Sequence, residues 1–151
     1  MNDIINENDF IVRHTEERGR CVHATRDFKK GTLLLEYAGM LYKDWEGRLL
    51  EEQYEEDPNI GNFMFFFTCN NVKYCIDAVE ETRKLGRLIN HGIADANVKP
   101  KAFMMTNSNG EQKPRLWLLA SRDIYKGEEL LYDYGDRRPK SIKNYPFLKP
   151  S

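Results

Sequence analysis

Seven short β-rich runs, separated by turn-forming residues, are the feature of this sequence that most limits its fold. Most of them are bounded by Gly, Asn, Pro or Lys-Gly, which are typical of turns between strands. The Asn70-Asn71 pair between two runs predicts a tight hairpin. Since helices do not alternate with the strands, the sequence predicts a mainly β protein and argues against a dinucleotide-binding fold. The runs span residues 10–12, 21–24, 32–37, 63–68, 72–76, 102–106 and 115–120.

One main helix is predicted from about Lys43 to Glu56, where apolar and aromatic residues recur near helical spacing. Asp57-Pro58 ends it, because the residue before a proline disfavours the helical conformation. A second, short helix is predicted after Pro139, with Ser141 as its cap.

Length and charge exclude several classes of function. A chain of 151 residues is about one domain, and its net charge of −1 gives no general attraction for nucleic acid. No run approaches the roughly 20 apolar residues that cross a bilayer, and the N-terminus lacks the pattern of a signal peptide. We expect a soluble intracellular protein, monomeric by default, without membrane contact or sequence-specific binding to nucleic acid.

Cysteine and histidine positions argue against a metal site. Cys21, Cys69 and Cys75 are odd in number and form no CxxC pair, so structural thiols are expected. His14 and His23 show no ligand spacing to His91, for which a hydrogen-bonded structural role is the default.

Two polar clusters are candidates for chemistry. Tyr132 and Tyr134 lie two residues apart in the run 127–135, and in an extended segment their phenols would project side by side before Gly135. By themselves they would equally suit a half-buried strand face. The second cluster, Arg87-Leu88-Ile89-Asn90-His91, closes an apolar stretch.

Three further segments each have an ordinary alternative. Arg18-Gly19-Arg20 could hold an anion through its amides or be a surface turn. The acidic run 51–57 could attract a basic peptide or be a solvated helix face. The aromatic run Phe63–Phe67 could pack in the core or contact a flat ring or a cation, and Tyr37 alone would be an ordinary tyrosine at a strand end.

Taken together and in order, these segments resemble the SET-domain protein lysine methyltransferases. The matching stretches are residues 18–22, 35–39, 87–91 and 127–135, and the likeness runs from about 13 to 149. It is strongest to the histone H4 lysine-20 monomethyltransferase type, through residues 82–91, 119–124 and 133–137. The resemblance implies a lead-in over 1–12, a SET domain over 13–138, and a closing segment over 139–151 without the family's zinc-binding segment.

The resemblance also implies a fold and a site. The fold would be a β-clip of several small sheets, in which the segment 87–91 passes under the chain that ends at Tyr134 in a knot-like threading. Residues that would contact the cofactor S-adenosylmethionine are Arg18, Gly19, Arg20, Phe63, Asn90, His91 and, over the adenine, Phe147. Those that would line the lysine channel are Tyr37, Tyr132 and Tyr134, with Tyr134 as the central catalytic phenol and Tyr132 favouring monomethylation.

The implied activity is monomethylation of a histone tail in nucleosomes, in the nucleus and on chromosomes. Two alternatives are an inactive SET module that binds a lysine peptide or partner, and a methyltransferase of a non-histone protein. The sequence departs from the pattern at four places: Cys21, Asn62-Phe63, Gly92 and Phe147 stand where glycine, Cys-Tyr, serine and tryptophan are expected.

Overall fold

The computed structural model describes residues 7–138, which form ten strands and one α-helix. The predicted mainly β fold with one main helix is confirmed, whereas the predicted C-terminal helix and Phe147 lie outside the described residues. The strands are β1 Phe10–Thr15, β2 Gly19–Ala24, β3 Leu33–Glu36, β4 Met40–Lys43, β5 Met64–Cys69, β6 Val72–Asp77, β7 Asn90–His91, β8 Val98–Thr106, β9 Gln112–Ala120 and β10 Leu131–Tyr132. The helix is α1 Asp44–Glu55, and 3-10 helices span Glu7–Asp9, Gly86–Leu88 and Tyr134–Arg137.

The strands make four small sheets. β1 pairs with β2 in an antiparallel ribbon, and β10 pairs with β7 in parallel. The other two sheets have the strand orders β3-β9-β8 and β4-β6-β5. No helix among residues 7–138 is long and apolar enough to cross a membrane.

The described chain divides into two compact units. The first comprises residues 7–37, 82–101 and 116–133, and the second comprises 38–81, 102–115 and 134–138. Strands β8 and β9 each contribute residues to both. The predicted boundaries at residues 12 and 138 remain a prediction.

Helix α1 covers one side of the sheet β4-β6-β5 in the second unit. Its partly buried residues Leu50 and Tyr54 pack against a buried cluster of Met64, Phe66 and Cys75. Trp45 and Leu49, by contrast, are 65% and 53% exposed. The helix therefore buries only part of its apolar surface, and the aromatic strand β5 supplies core, as the ordinary interpretation of that run predicts.

The hairpin prediction is confirmed at Asn70 and Asn71, which adopt φ angles of 51° and 64° between β5 and β6. Both values lie in the left-handed region that a two-residue hairpin turn requires and that asparagine tolerates. The sequence analysis missed β4, β7 and β10, because strands of two to four residues are too short to show an alternating pattern.

Candidate active site

Two predicted motifs that are distant in sequence meet in one short parallel ladder of the first unit. Leu131 of β10 lies opposite Asn90 of β7, and Tyr132 lies opposite His91. The amide of Gly92 extends the ladder by donating to the carbonyl oxygen of Tyr132 at 3.1 Å. The ladder brings the predicted cofactor contacts Asn90 and His91 beside the predicted channel residue Tyr132.

A buried asparagine holds β10 in this position. The Oδ1 atom of Asn97 accepts from the Leu131 amide at 2.9 Å, and its Nδ2 atom donates to the Glu129 carbonyl at 2.9 Å. The Asn97 backbone amide also donates to the Leu131 carbonyl at 3.0 Å. Asn97 is only 1% exposed, so these bonds are needed to satisfy its amide group.

Glu129 joins two of the predicted cofactor residues in a polar cluster of the first unit. Arg18 donates from Nη2 to Oε1 of Glu129 at 2.5 Å, and Asn90 donates from Nδ2 to Oε2 at 3.3 Å. Asn90 Nδ2 also donates to the Arg20 carbonyl at 2.9 Å. The hydrogen bond and the charge of Glu129 raise the pKa of Arg18 above its ordinary value. The cluster thus places one cation and one carboxylate side by side.

Gly19 opens β2 with a φ of +71°, a conformation that favours glycine. The turn before it is closed by Thr15, whose hydroxyl donates to the Gly19 carbonyl at 3.3 Å and accepts from the Arg18 amide at 3.0 Å. The Arg18 side chain is 48% exposed and that of Glu129 is 11% exposed. Arg18 is therefore the part of the cluster that solvent or a ligand can reach.

Tyr37 and Tyr132 are both fully buried in the first unit. The Tyr37 amide donates to the Leu116 carbonyl at 2.8 Å. The segment that carries Asn90 and His91 begins against the same residue, because a Cβ on Gly86 would lie 3.3 Å from the Tyr37 Cα and would overlap the Glu36 carbonyl oxygen. Backbone packing thus places the start of the 87–91 motif beside Tyr37.

Tyr134 and Phe63 belong to the second unit. Tyr134 begins the 3-10 helix Tyr134–Arg137, and the guanidinium carbon of Arg137 lies 3.7 Å from its ring centroid. Arg137 also donates from Nη1 to the carbonyl oxygen of Asn62, the residue before Phe63, at 3.0 Å. Phe63 is partly buried, and its carbonyl accepts from the Ala78 amide at 3.1 Å.

The premise for a side-by-side projection of Tyr132 and Tyr134 is wrong. It assumed that the chain is extended through both residues, but β10 ends at Tyr132 and a 3-10 helix begins at Tyr134. The change of backbone conformation removes the two-residue alternation of a strand. The two tyrosines therefore have different surroundings, since Tyr132 is fully buried and Tyr134 is partly exposed.

Comparison with known proteins identifies the family to which these motifs belong. The sequence profile of the SET domain matches residues 19–135, which include Gly19, Arg20, the 87–91 motif and both tyrosines. This chain belongs to the SET domain family. The parallel ladder of β7 and β10 is accordingly the meeting point of two SET motifs.

Two curated relatives cover most of this SET domain chain. N-lysine methyltransferase KMT5A-A of Danio rerio is 43% identical over 143 residues, which are 95% of this chain and 40% of that protein. Histone-lysine N-methyltransferase set-1 of Caenorhabditis elegans is 40% identical over 150 residues, which are 93% of this chain and 60% of that protein. The chain thus spans 40% and 60% of the lengths of these two relatives.

Solved structures share the SET architecture. CpSET8 from Cryptosporidium superposes with a TM-score of 0.76 and 41% identity, over 86% of this chain and 59% of that chain. The complex ctPRC2, in an autoinhibited conformation bound to S-adenosylmethionine, gives a TM-score of 0.67 and 28% identity, over 89% of this chain and 16% of that chain.

Two departures from the SET pattern have local structural explanations. A Cβ at Gly92 would lie 2.6 Å from Oδ1 of Asp95 and 3.1 Å from the Cβ of Leu131, so serine would not fit without a shift. Asn62 accepts from the Met64 amide through Oδ1 at 3.2 Å and from Arg137 through its carbonyl. These two hydrogen bonds fix the segment that leads into β5 of the SET domain.

Sequence analysis missed three site residues, namely Asn97, Glu129 and Arg137. Glu129 stands in the Gly-Glu-Glu-Leu run just before the tyrosines, so its position was a signal, but nothing local distinguishes it from Glu128. Asn97 and Arg137 carry no spacing pattern of their own. Their partners Leu131 and Asn62 are 34 and 75 positions away, which only the fold reveals.

The three cysteines are buried and free, as expected for structural thiols. Burial raises the pKa of the Cys75 and Cys69 thiols, which disfavours reactive thiolates. Cys21, His23 and Glu129 place possible metal-ligand atoms within 4.8 Å of one another. Arg18 and Asn90 donate to the two Glu129 oxygens, so this cluster is a polar network of the SET domain.

Proposed function

We propose that this chain is an S-adenosylmethionine-dependent protein-lysine methyltransferase, which adds one methyl group to a lysine of the histone H4 tail. The observation that carries the proposal is the parallel ladder that joins Asn90 and His91 to Leu131 and Tyr132. It unites the two segments that carry the resemblance to lysine methyltransferases. The names of the two curated relatives, an N-lysine and a histone-lysine methyltransferase, support the same activity.

The chemistry of the polar cluster fits the methionine end of the cofactor, which carries a carboxylate and an ammonium group. The guanidinium of Arg18 is a suitable partner for the carboxylate. Glu129 and the Arg20 carbonyl offer acceptors for the ammonium, and Asn90 orders both through its Nδ2 atom. We assign Arg18, Gly19, Arg20, Asn90 and His91 to this end of the site.

The remaining cofactor contacts are assigned from the resemblance. Phe63 would contact the cofactor, and Phe147, outside the described residues, would lie over the adenine. When bound, S-adenosylmethionine supplies an electrophilic methyl group on a positively charged sulfur. The solved ctPRC2 structure, bound to this molecule, supports its use by a related SET domain.

The substrate lysine must be neutral to accept a methyl group. At about pH 7.4, deprotonating a free lysine of pKa about 10.4 costs about 4 kcal/mol. The full burial of Tyr37 and Tyr132 excludes water around their phenols, and a dry environment lowers the pKa of an amine. A lowered pKa lets the amine release its proton to solvent before it enters the channel, so a dedicated base is not required. Alignment of the reacting groups can supply a further contribution of about 7–11 kcal/mol. We assign Tyr134 as the central catalytic phenol.

We further propose that Tyr132 limits the product to one methyl group. Its hydroxyl, with a bound water, would occupy the room that a second methyl needs. A Tyr132→Phe variant should therefore yield dimethyl-lysine in mass spectra of a substrate peptide, whereas the wild type yields monomethyl-lysine. A variant that still stops at one methyl group would refute this role.

A histone substrate fits the surface of α1 and the segment after it. Glu52, Glu55, Glu56 and Asp57 are exposed and give this surface a negative charge, which attracts a basic tail at long range. A histone substrate places the protein in the nucleus and on chromosomes. We propose that it acts as a monomer, without sequence-specific contacts to nucleic acid.

Mass spectrometry of nucleosomes incubated with the protein and S-adenosylmethionine tests the function. We expect a single methyl group on the H4 tail, lost in a Tyr134→Phe control. Cofactor binding without nucleosome methylation would instead favour a non-histone substrate, and a screen of basic peptides would follow. Absence of cofactor binding by calorimetry would favour an inactive SET module.

A further inference from the structure

Arg137, at the end of the last described 3-10 helix, is a buried cation with no assigned role. It is 4% exposed, and its guanidinium carbon lies 3.7 Å from the centroid of the Tyr134 ring. Tyr134 and Arg137 are three residues apart in the helix Tyr134–Arg137. Side chains at this spacing eclipse one another in a 3-10 helix, so the local backbone brings the cation over the ring.

A second anchor fixes Arg137 to another part of the same unit. Its Nη1 atom donates to the carbonyl oxygen of Asn62 at 3.0 Å, and its guanidinium carbon lies 5.9 Å from the centroid of the Phe65 ring. Phe65 belongs to β5 and is fully buried, which makes it a rigid support. The guanidinium therefore contacts both the Tyr134 ring and the core sheet of the second unit.

The chemistry of arginine suits this arrangement. A guanidinium is planar and weakly hydrated, so it can stack on an aromatic face while its edge donates hydrogen bonds. A lysine ammonium keeps the charge but has neither the plane nor the fork of donors. The contact of Arg137 with the Tyr134 ring is thus one that the closest charged substitute cannot reproduce.

We propose that Arg137 is a positioning residue that sets the orientation of the Tyr134 phenol for methyl transfer. This inference rests on the proposed function, in which Tyr134 is the catalytic phenol. Arg137 acts through the ring of Tyr134 and through the backbone of Asn62, next to the proposed cofactor contact Phe63. The principal effect of its loss should be on turnover, because substrate-binding groups are left in place while the phenol is misaligned.

The adjacent Arg138 provides a matched control. It is equally buried at 4% exposure, and its guanidinium carbon lies 4.6 Å from the Phe66 ring centroid. Its charge pairs with Glu51 of α1. Arg138 therefore has the same type of environment as Arg137, including an aromatic ring and an oxygen acceptor, but its stacking partner is a core phenylalanine.

The test compares Arg137→Lys, Arg137→Gln and Arg138→Lys with the wild type, using S-adenosylmethionine and an H4-tail peptide. We expect kcat to fall about 10- to 100-fold in both Arg137 variants, as for a misplaced catalytic group, while KM for both substrates changes less than about threefold. Arg138→Lys should lower the melting temperature and leave kcat within about threefold of wild type. Glutamine at position 137 can still donate to the Asn62 carbonyl oxygen without burying a charge. Arg137→Gln therefore serves as the second test variant if Arg137→Lys does not fold.

Nuclear magnetic resonance with ring-labelled tyrosine provides a readout independent of turnover. The Tyr134 signal, assigned by its loss in Tyr134→Phe, should shift in the Arg137 variants and stay in place in Arg138→Lys. A normal kcat in a folded Arg137→Lys protein would overturn the role of Arg137 and leave the proposed function intact. A wild type that binds cofactor but methylates neither the H4 peptide nor any basic peptide would overturn the proposed function, and the inference with it.

Discussion

Tyr132 and Tyr134 are separated by one residue, yet the structure holds them by different means. Tyr132 is fixed by backbone, since it pairs with His91 in the β7–β10 ladder and its carbonyl accepts from Gly92. Tyr134 is contacted by a side chain, the guanidinium of Arg137, on a 3-10 helix. Within one motif, therefore, the position of Tyr132 is fixed by backbone hydrogen bonds, whereas Tyr134 is contacted by a side chain that can be substituted.

The difference extends to the surroundings of each tyrosine. In the first unit, Asn97, Asn90 and Glu129 form hydrogen bonds among side chains and backbone around β7 and β10. In the second unit, Arg137 and Arg138 stack on aromatic rings beside the core. Substitutions around β7 and β10 in the first unit should therefore reduce stability and cofactor affinity. Substitutions near Tyr134 should chiefly reduce kcat.

The largest effect should come from Gly86→Ala, which tests the backbone packing that holds the 87–91 motif in the first unit. The new Cβ would overlap the Glu36 carbonyl oxygen, and backbone on both sides cannot move aside cheaply. We expect a loss of roughly 3 kcal/mol in the free energy of unfolding, measured by urea denaturation. Gly110→Asn is the control, because Gly110 has open space and a φ of +80° that asparagine tolerates. Equal stability of the two variants would contradict the assigned packing.

An intermediate effect is expected from Glu129→Gln, which tests the hydrogen-bonded cluster. The substitution removes the negative charge that faces Arg18 and replaces one acceptor oxygen by a donor. Affinity for S-adenosylmethionine, measured by calorimetry, should fall about 10-fold or more, equivalent to about 1.4 kcal/mol. Glu128→Gln is the control, since Glu128 instead contacts Arg122 and the Tyr125 amide. Similar affinities for both variants would argue against a role of Glu129 in ordering the site.

The smallest effect should come from Tyr54→Phe in the second unit. Tyr54 donates to Asp77 at 2.6 Å, and this hydrogen bond, with burial, raises the pKa of Tyr54 to about 12. Loss of the bond should cost about 1 kcal/mol at pH 7. Because an unfolded tyrosine titrates near 10, the stabilisation is complete below about pH 10 and is lost between about pH 10 and 12. Urea denaturation should show a smaller difference in the free energy of unfolding between wild type and variant at pH 11 than at pH 8. An equal difference at both pH values would contradict the link between the Tyr54 pKa and stability.

The sequence predicted the elements whose causes are local. The Asn70-Asn71 turn, the helix ended by Asp57-Pro58 and the aromatic core strand depend on neighbouring residues, so their patterns were readable. The motif resemblance also pointed to Asn90, His91 and Tyr132 as one site, and the ladder places these three together. The proposed roles of all the site residues remain predictions.

Long-range partners could not be predicted in this way. Nothing near Arg137 in the chain indicates Asn62, and nothing near Asn97 indicates Leu131. The extended geometry expected through Tyr134 failed for a related reason. Alternation over two residues cannot reveal that a strand stops between them, because hydrogen bonds to distant segments decide where β10 ends.

The parallel ladder has a consequence for the order in which the chain folds. Its two strands, Asn90–His91 and Leu131–Tyr132, are about forty positions apart, so their pairing must first close a long loop at an entropic cost. A ladder of two residues per strand contributes little stabilisation to offset this loss of entropy. Contacts of this kind form late in folding. We therefore expect β7 and β10 to join after the neighbouring sheets have formed and to separate first under stress. The site would then lose its order before the surrounding domain unfolds.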